Sequence, residues 1–274
     1  MSKPGWEFTS SVPENYDRYL VPILFDRFAE DLTTRLDARP RGDVLEVACG
    51  TGAVTRRLRA YLPEETDLVA TDLSAAMLAV AQRRLPEAPN LAWRLADVNA
   101  LPFESGRFAA AVFQFGLMFV ADPKVALCEL RRVLKDDGLL VMNVWDAPQS
   151  NPHARIVEEV AREFLTDQDV LGEFARPFSM SDVRVLRAIL TDSGFGTGLI
   201  ETVRREAVSP SALDFARGAV FGSPRGEQFR SAGLDLEEVV HTLSKRLAMA
   251  GGDAPCRLPV QALVVGARCL AQRP

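Results

Sequence analysis

Short apolar runs alternate with amphipathic segments between residues 44 and 145. The apolar runs predict five strands, VLEVAC (44–49), DLVATD (67–72), LAWRLAD (91–97), FAAAVFQF (108–115) and LLVMNVW (139–145). Segments 53–62, 74–85 and 123–134 have apolar residues at helical spacing, with Ser74 as the predicted N-cap of the second and KDDG as the predicted end of the third. This alternation predicts an α/β fold built on a doubly wound parallel sheet.

The flanking regions follow a different pattern. Upstream, apolar residues recur at helical spacing over 15–36, and Pro22 predicts a break or a new helix start there. Downstream, 151–165 and 179–195 are predicted helices, and 198–209 and 259–270 are predicted strands. The residues between those last strands, 210–255, are predicted to be helical with breaks at GAVFGSPRG and MAGGDAP.

The pattern therefore divides the chain into three parts. Residues 1–40 form a helical cap, residues 41–209 together with 256–274 form the sheet domain, and residues 210–255 form an insertion before the last strand. The insertion is either a loose helical appendage or a lid over the carboxyl ends of the strands. The lid is favoured because ligands of open α/β sheets bind at those ends.

Composition excludes several classes of protein. The 274 residues include 32 basic and 37 acidic side chains, and this net charge of −5 without a clustered basic face argues against a nucleic-acid partner. The four cysteines form no CxxC pair and have no histidine at zinc spacing, so no metal is expected. No apolar stretch reaches the ~18 residues of a membrane span, and the N-terminus has no apolar signal region. A reduced, cytoplasmic protein with no membrane partner is the expectation.

The loop after the first strand carries the candidate chemistry. Gly50-Thr51-Gly52 allows a close approach of the backbone to a ligand, and the following helix start favours negative charge. A dinucleotide fingerprint would have a third glycine where Thr55 stands, so the glycines alone are a weak signal. More informative are three acids: Glu46 inside the first strand, Asp72 at the end of the second, and Asp97 after the third. Asp72 can accept hydrogen bonds from both ribose hydroxyls of an adenosine.

The three acids, the loop E-V-A-C-G-T-G (46–52) and the segment ADVNALPF (96–103) together resemble the class I S-adenosylmethionine-dependent methyltransferases. The resemblance extends over about residues 14–146 and is closest to the ubiquinone/menaquinone-biosynthesis C-methyltransferase group. It implies a Rossmann-like seven-stranded sheet, S-adenosyl-L-methionine as the cofactor, and methyl transfer to an O, N or C atom of a small, partly apolar metabolite. A role in secondary metabolism is a further expectation.

The resemblance also implies cofactor-binding roles at matching positions. Glu46 and the loop backbone would receive the methionine amino group, Asp72 the ribose, and Asp97 with Val98 the adenine. The full set of implied cofactor-binding residues is Tyr16, Tyr19, Glu46, Ala48, Cys49, Gly50, Gly52, Asp72, Leu73, Met77, Asp97, Val98 and Gln114. Met77 has an equally good explanation as helix core, and Tyr16 and Tyr19 have one as ordinary helix packing.

The sequence contains no clear candidate for a catalytic base. His153 after the fifth strand, His241 in the insertion and Asp146 at the end of the fifth strand are weak candidates, and a structural or exposed position explains each histidine as well. The insertion supplies apolar side chains that would line a pocket or form its own core, namely Phe215, Phe221, Phe229, Leu234 and Leu236. The N-P-P-Y tetrad of amino-methylating enzymes is absent, because FQFG (113–116) occupies its place.

Other functions remain open at this point. The same fold and cofactor site could serve a non-methylating cyclisation or isomerisation, because a fold does not fix a reaction. A non-catalytic binding module and an NAD-dependent oxidoreductase are further alternatives, although Thr55 and the Asp97 segment argue against the oxidoreductase. A homodimer formed through exposed helices of the insertion is a further expectation.

Overall fold

A computed structural model describes residues 11–36, 40–196 and 198–270 of the chain. Parts of the predicted cap, residues 1–10 and 37–39, lie outside the described residues, as does the C-terminal end, 271–274. Over the described residues, no helix combines the length and the apolar character that crossing a membrane requires.

The described residues form one seven-stranded sheet covered by helices. The strands are β1 (Val44–Val47), β2 (Leu68–Asp72), β3 (Leu91–Leu95), β4 (Phe108–Gln114), β5 (Leu134–Trp145), β6 (Leu199–Ser209) and β7 (Cys256–Arg268). The helices of the first half are α1 (Val12–Asn15), α2 (Asp26–Thr34), α3 (Ala53–Tyr61), α4 (Ala75–Arg84) and α5 (Pro123–Val133). Those of the second half are α6 (Pro152–Phe164), α7 (Gln168–Ala175), α8 (Val183–Asp192), α9 (Ala212–Phe221), α10 (Arg225–Ser231) and α11 (Leu236–Gly251).

The strand order is β3-β2-β1-β4-β5-β7-β6, which confirms the predicted doubly wound, Rossmann-like sheet. Strands β1 to β5 run parallel, and β7 is antiparallel to both of its neighbours. All four residues of β1 are buried, as expected for a central strand covered on both faces. The carboxyl ends of β1, β2, β4 and β5 therefore meet at one edge of the sheet.

Several helix boundaries follow from local capping. The hydroxyl oxygen of Ser74 accepts a hydrogen bond from the backbone N–H of Met77, which confirms the predicted N-cap of α4. Asp122 caps α5 through the backbone N–H groups of Lys124 and Val125. These side chains satisfy backbone donors that would otherwise lack partners at the helix ends.

Two local predictions are wrong. KDDG does not separate α5 from the next strand, because β5 already begins at Leu134, where it pairs with Phe108 before the ladder shifts register. Pro22 does not break the N-terminal helix: it lies inside a ten-residue π-helical segment, Tyr16–Phe25, that continues directly into α2. The wider π turn accommodates a proline ring, which in an α-helix would meet the carbonyl of residue i−4.

The insertion lies at the edge of the sheet where the carboxyl ends of the parallel strands meet. Trp145, the last residue of β5, pairs with Ala262, so residues 256–261 of β7 extend beyond it beside the end of β6. Helices α9, α10 and α11 connect these extended ends of β6 and β7. Helix α9 packs so closely on the π-helical segment that a side chain at Gly218 would meet Tyr19 and Leu20. The insertion thus contacts the N-terminal helices.

Candidate functional site: an acidic glycine loop beside a row of aromatic rings

The loop between β1 and α3 needs glycine for conformation and for space. Gly50 and Gly52 have φ angles of +56° and +82°, in the left-handed region that favours glycine. A Cβ atom on Gly52 would lie 3.2 Å from the Cβ of Ala81 and 3.4 Å from the ring of Trp93. Ala48 also has a positive φ, +51°, so the chain turns sharply as soon as it leaves the strand.

Two acids predicted from the sequence flank this loop. The Glu46 side chain is buried, with 2% of its surface exposed, and its Oε2 atom has no hydrogen-bond partner among the described residues. Asp72 accepts hydrogen bonds from the backbone N–H of Gly50 (2.7 Å) and from that of Ser74 (2.8 Å). The carboxylate of Asp72 therefore holds the loop in place.

The electrostatics of the loop favour a cation. Burial raises the pKa of Glu46 to about 8, and the neighbouring charge of Asp72 contributes to the same rise. Burial also raises the pKa of Asp72, against the lowering effect of its backbone hydrogen bonds. The pKa of the Cys49 thiol is raised by burial and by both acids, so this cysteine stays protonated. A positively charged ligand would relieve the cost of ionising both acids, whereas a pyrophosphate would increase it.

The predicted adenine side of the site is more open. Leu73 is 65% exposed, and Asp97 is exposed with its Oδ1 accepting a hydrogen bond from the backbone N–H of Asn99 (2.8 Å). Val98 is partly buried, and Met77 is buried at 3% exposure. Leu73 is thus available to a flat ligand, while the burial of Met77 agrees with its explanation as helix core.

The N-terminal helical segment closes one side of the loop. A Cβ on Gly50 would be 3.9 Å from the ring of Tyr16, whose pKa is raised by burial and by the charge of Asp72. Tyr19 contacts α9 at Gly218 and lies under the guanidinium of Arg18. Tyr16 therefore reaches the predicted cofactor loop, whereas Tyr19 packs between helices.

Asp17 links the N-terminal helical segment to α3 and α4 through ion pairs. It is buried, with 8% of its surface exposed, and pairs with Arg84 on α4 at 2.6 Å. Arg56 on α3 lies 3.9 Å from its other oxygen. These ion pairs were not predicted, because the partners are 39 and 67 residues away in the chain (56 − 17 and 84 − 17). They hold Tyr16 next to the loop.

A continuous row of aromatic rings leads away from the loop. Tyr16 stacks on Phe25 at 5.1 Å between ring centroids, and Phe25 lies 5.6 Å from Phe115. Phe115 stacks on Trp145 at 4.0 Å with an interplanar angle of 16°. We call Tyr16, Phe25, Phe115, Trp145, His153 and Phe215 the aromatic row, because each ring is within 6 Å of the next.

Strands β4 and β5 position the middle of this row at their carboxyl ends. Phe115 follows the last residue of β4 with a positive φ of +47°, and its backbone N–H donates to the side chain of Asn143 at 2.9 Å. The residue before it, Gln114, ends β4 as predicted, and its buried Oε1 has no hydrogen-bond partner among the described residues. Gln114 therefore has an acceptor atom available directly before Phe115 in the chain.

The three weak catalytic candidates have different surroundings. His153 is buried between Trp145 and Phe215, each 5.9 Å away between ring centroids, and burial together with the charge of Arg225 lowers its pKa to about 3. Asp146 accepts hydrogen bonds from the side chain of Gln261 and from the backbone of the next residue. His241 is exposed on α11. Of the three, only His153 belongs to the aromatic row.

Sequence reasoning missed several residues of this region. The sequence pattern assigns Phe25, Phe115 and Trp145 only to predicted helices and strands, and Arg225 and Gln228 lie next to a predicted Gly/Pro break. A bulky ring directly after a buried strand is the signal that could have identified Phe115. Among the described residues, no cluster of three or more His, Cys, Asp or Glu side chains has the arrangement of a metal site.

The surroundings of the loop fit S-adenosylmethionine. The cofactor carries a sulfonium and an ammonium group, and the loop is flanked by the buried Glu46, which has an oxygen that lacks a partner among the described residues, and by the partly buried Asp72. Gly50 has no side chain to obstruct a close approach to the backbone, and Leu73 provides exposed apolar surface beside it. The donor set thus matches a cationic nucleoside ligand.

Comparison with known proteins finds similarity to methyltransferases. Residues 45–142 match a methyltransferase domain family. The chain is 38% identical over 122 residues to a demethylmenaquinone methyltransferase of Renibacterium salmoninarum, covering 44% of this chain and 49% of that protein. It is 29% identical over 184 residues to the ubiquinone/menaquinone biosynthesis C-methyltransferase UbiE of Ectopseudomonas mendocina, covering 63% and 71%. The match thus spans about half the length of the first of these relatives.

Solved structures share the fold. The YcgJ protein of Bacillus subtilis superposes with a TM-score of 0.58 at 14% identity, covering 89% of this chain and 98% of that one. The geranyl diphosphate C-methyltransferase of Streptomyces coelicolor, solved with S-adenosyl-L-homocysteine, superposes with a TM-score of 0.51 at 16% identity, covering 90% and 77%. Residues 45–142 thus form a methyltransferase domain, and with its seven-stranded sheet the chain is similar to the class I S-adenosylmethionine-dependent methyltransferases of the UbiE type.

Proposed function

We propose that this protein transfers the methyl group of S-adenosylmethionine to an O, N or C atom of a small, partly apolar metabolite. The observation that carries the proposal is that the acidic glycine loop and the aromatic row adjoin each other. Tyr16 contacts both, since its ring lies beside Gly50 and stacks on Phe25. A cofactor bound at the loop would then present its reactive end to an acceptor lying along the rings.

Different residues around the loop would bind different parts of the cofactor. The Glu46 carboxylate pairs with the ammonium group of the methionine part, and Asp72 binds the ribose while keeping the loop in place through Gly50. Asp97, Val98, Leu73 and the buried Met77 line the adenine side. When bound, S-adenosylmethionine supplies an activated methyl group on a sulfonium, so the protein mainly has to align the acceptor and exclude water.

The acceptor side is apolar and enclosed. Phe115 and Trp145 stack face to face, and Phe215 is 1% exposed, so an acceptor that lies against these rings leaves water behind. The insertion, residues 210–255, would act as a lid, because it lies at the carboxyl edge of the sheet and packs on the N-terminal helices at Gly218 and Gly222. The lid and the N-terminal segment would open together to admit the acceptor.

The chain offers no strong general base at this site among the described residues. The pKa of His153 is lowered to about 3, so the imidazole is neutral at pH 7 and takes up a proton weakly. Asp146 is engaged by the side chain of Gln261. The acceptor atom we expect is therefore one that is already nucleophilic near neutral pH, such as an ionised oxygen, a neutral amine or an electron-rich carbon.

Calorimetric titration of the purified protein with S-adenosylmethionine, and separately with NAD, tests the cofactor part of the proposal. Mass spectrometry beforehand detects any cofactor carried through purification. We expect binding of S-adenosylmethionine alone, because the paired acids disfavour a pyrophosphate. Asp72→Asn should weaken the binding, while Asp67→Asn, on an exposed residue just before β2, is the matched control and should not.

Turnover tests the reaction itself. Incubation with a panel of small acceptors and S-adenosylmethionine should give a product about 14 Da heavier, the mass of a methyl group that replaces a hydrogen. A product of unchanged mass that forms with the cofactor present would indicate a non-methylating reaction. Cofactor binding without any turnover across the panel would favour a binding module.

A further inference from the structure

Helix α10 lies beside the end of the aromatic row formed by His153 and Phe215. Arg225 and Gln228 are three residues apart on this helix and so share one of its sides. The Nε atom of Arg225 and the Oε1 atom of Gln228 are both buried. The guanidinium of Arg225 lies over the ring of Phe174, 5.3 Å from its centroid. Helix α10 thus directs two polar side chains inward.

Arg225 brings a positive charge to this end of the row. Burial lowers its pKa to about 10, so the guanidinium stays protonated at neutral pH. The charge acts on His153, where it lowers the pKa in the same direction as burial does. Arg225 is therefore near enough to the aromatic row to influence any ligand that lies there.

His153 and Gln228 each have one buried polar atom with unused hydrogen-bonding capacity. His153 is 7% exposed, and neither its Nδ1 atom nor the Oε1 atom of Gln228 has a hydrogen-bond partner in the part of the chain that the structure describes. A neutral imidazole can donate from one ring nitrogen and accept at the other. A buried polar atom without a partner destabilises the folded protein, and a ligand that supplies the missing partner removes this cost.

We propose that Arg225, Gln228 and His153 form a subsite for an anionic oxygen group, a carboxylate or a phosphate, carried by the methyl acceptor. This proposal deepens the proposed function and rests on it for the identity of the ligand as an acceptor. A guanidinium binds carboxylate and phosphate oxygens in pairs, and the amide of Gln228 and the imidazole of His153 add hydrogen bonds. The apolar body of the acceptor would lie along Phe215 and Trp145, with its reacting atom toward Tyr16.

The subsite narrows the acceptor to an amphipathic acid. Its charged group and its methylated atom would lie at opposite ends of the aromatic row, so the two cannot be the same atom. Esterification of the anionic group itself is therefore excluded by this arrangement. A neutral isostere of the same shape would lose the contact with Arg225 and leave the guanidinium buried beside an uncharged ligand.

Three probes that share the naphthalene ring test the subsite: 2-naphthoate, 2-naphthyl phosphate and the neutral 2-naphthamide, which has nearly the shape of the naphthoate. Each is titrated calorimetrically into the full-length protein, with and without S-adenosylhomocysteine. We expect at least one anion to bind tenfold or more tightly than the amide, and the tighter of the two identifies the group. Arg225→Gln should reduce this preference below about threefold, and Arg225→Lys, which keeps the charge, should retain part of it.

The controls separate the subsite from the fold and from the cofactor. Arg230→Gln, on an exposed arginine of the same helix, should leave the preference unchanged. If Arg225→Gln does not fold, Gln228→Leu decides, with an expected threefold or greater loss for the anion. Equal binding of anion and amide, binding of no probe, or a preference that survives Arg225→Gln would overturn the proposal. An anion preference in a protein that binds no S-adenosylmethionine would instead refute the proposed function and leave the subsite standing.

Discussion

The cofactor side and the acceptor side of this protein are built from different kinds of interaction. The centre of the cofactor side is one short loop with the two acids that flank it, within residues 46–72. The acceptor side depends on rings from the π-helical segment, the ends of β4 and β5, α6 and α9. Local geometry thus defines the cofactor side, whereas tertiary packing defines the acceptor side, and the two should respond differently to substitution.

Replacing one tryptophan on each side with alanine tests this contrast most strongly: Trp145 in the aromatic row and Trp93 beside Gly52 of the loop. Trp145 is 5% exposed and contacts four other rings, so Trp145→Ala should lower the free energy of unfolding by about 3–5 kcal/mol. Trp93→Ala, on a half-buried residue of edge strand β3, should cost roughly half as much. Urea unfolding of both variants measures the difference. Equal losses would mean that the acceptor side is no more dependent on packing than the cofactor side.

The same contrast explains which features could be predicted from the sequence. The strands, the Ser74 cap and the loop were predictable because their signals lie in consecutive residues: apolar runs, a capping hydroxyl and two glycines. The positions of Glu46 and Asp72 followed from strand boundaries alone. The five predicted strands of the first half were all found, with boundaries that differ by a few residues, most of all at the start of β5.

The acceptor side could not be predicted because its members are distant in the chain. Phe25 and Trp145 meet at 6.0 Å although 120 residues separate them (145 − 25). Nothing local distinguishes Arg225 from a solvated arginine next to a proline, and its inward direction depends on where α10 packs. The π-helical segment around Pro22 was missed for a similar reason, since the energy that supports it comes from packing on α9 and from the Asp17 ion pairs.

Glu46→Gln should show a conflict between stability and binding on the cofactor side. The pKa of Glu46 is about 8 in the folded protein and 4.5 for an unperturbed glutamate, so the folded protein keeps a proton that the unfolded chain loses. The stability contributed by this group therefore falls as pH rises from about 4.5 to about 8. The variant has no ionisable group at this position, so it does not lose this stability as the pH rises. The free energy of unfolding of the variant minus that of the parent should therefore increase by about 2–3 kcal/mol from pH 5 to pH 7.

Thermal or urea unfolding of both proteins at the two pH values measures this effect. The same variant should bind S-adenosylmethionine more weakly, because an amide cannot pair with the ammonium group. Increased stability together with reduced affinity would mark Glu46 as a residue that serves binding at the expense of the fold. A pH-independent difference between variant and parent would show that Glu46 is already ionised in the folded protein at pH 5.

Asp72→Ala tests the second acid and has a slightly smaller expected effect. Loss of the ribose hydrogen bonds should weaken S-adenosylmethionine binding by about 1–3 kcal/mol, roughly fivefold to 150-fold. Part of the loss in affinity should come from a change in the loop, because Asp72 also accepts a hydrogen bond from the backbone N–H of Gly50. Asp72→Asn keeps the shape and should lie between parent and alanine variant. Calorimetric affinities that are the same in all three proteins would mean that the ribose lies elsewhere.

His153→Gln tests the acceptor side through the dependence of folding stability on protonation, as Glu46→Gln does for the cofactor side. The change of stability with pH has the opposite sign, and its expected size is the smallest of the predictions. The pKa of His153 is lowered from 6.5 to about 3, so the unfolded chain takes up a proton over this interval that the folded protein excludes. Stability is therefore complete above about pH 6.5 and falls as the pH decreases toward 3. At pH 5.5, one unit below the unfolded value, the loss from this residue should be about 1 kcal/mol.

A variant without the imidazole escapes that loss, so His153→Gln should lose about 1 kcal/mol less stability than the parent between pH 7.5 and pH 5.5. His241→Gln, at an exposed histidine on α11, is the matched control. Bound 2-naphthoate sharpens the test, since an anion beside Arg225 and His153 should raise the pKa of His153 and reduce the acid sensitivity. If His153 and His241 variants behave alike, His153 is open to water, and the enclosed acceptor side described above is wrong at its charged end.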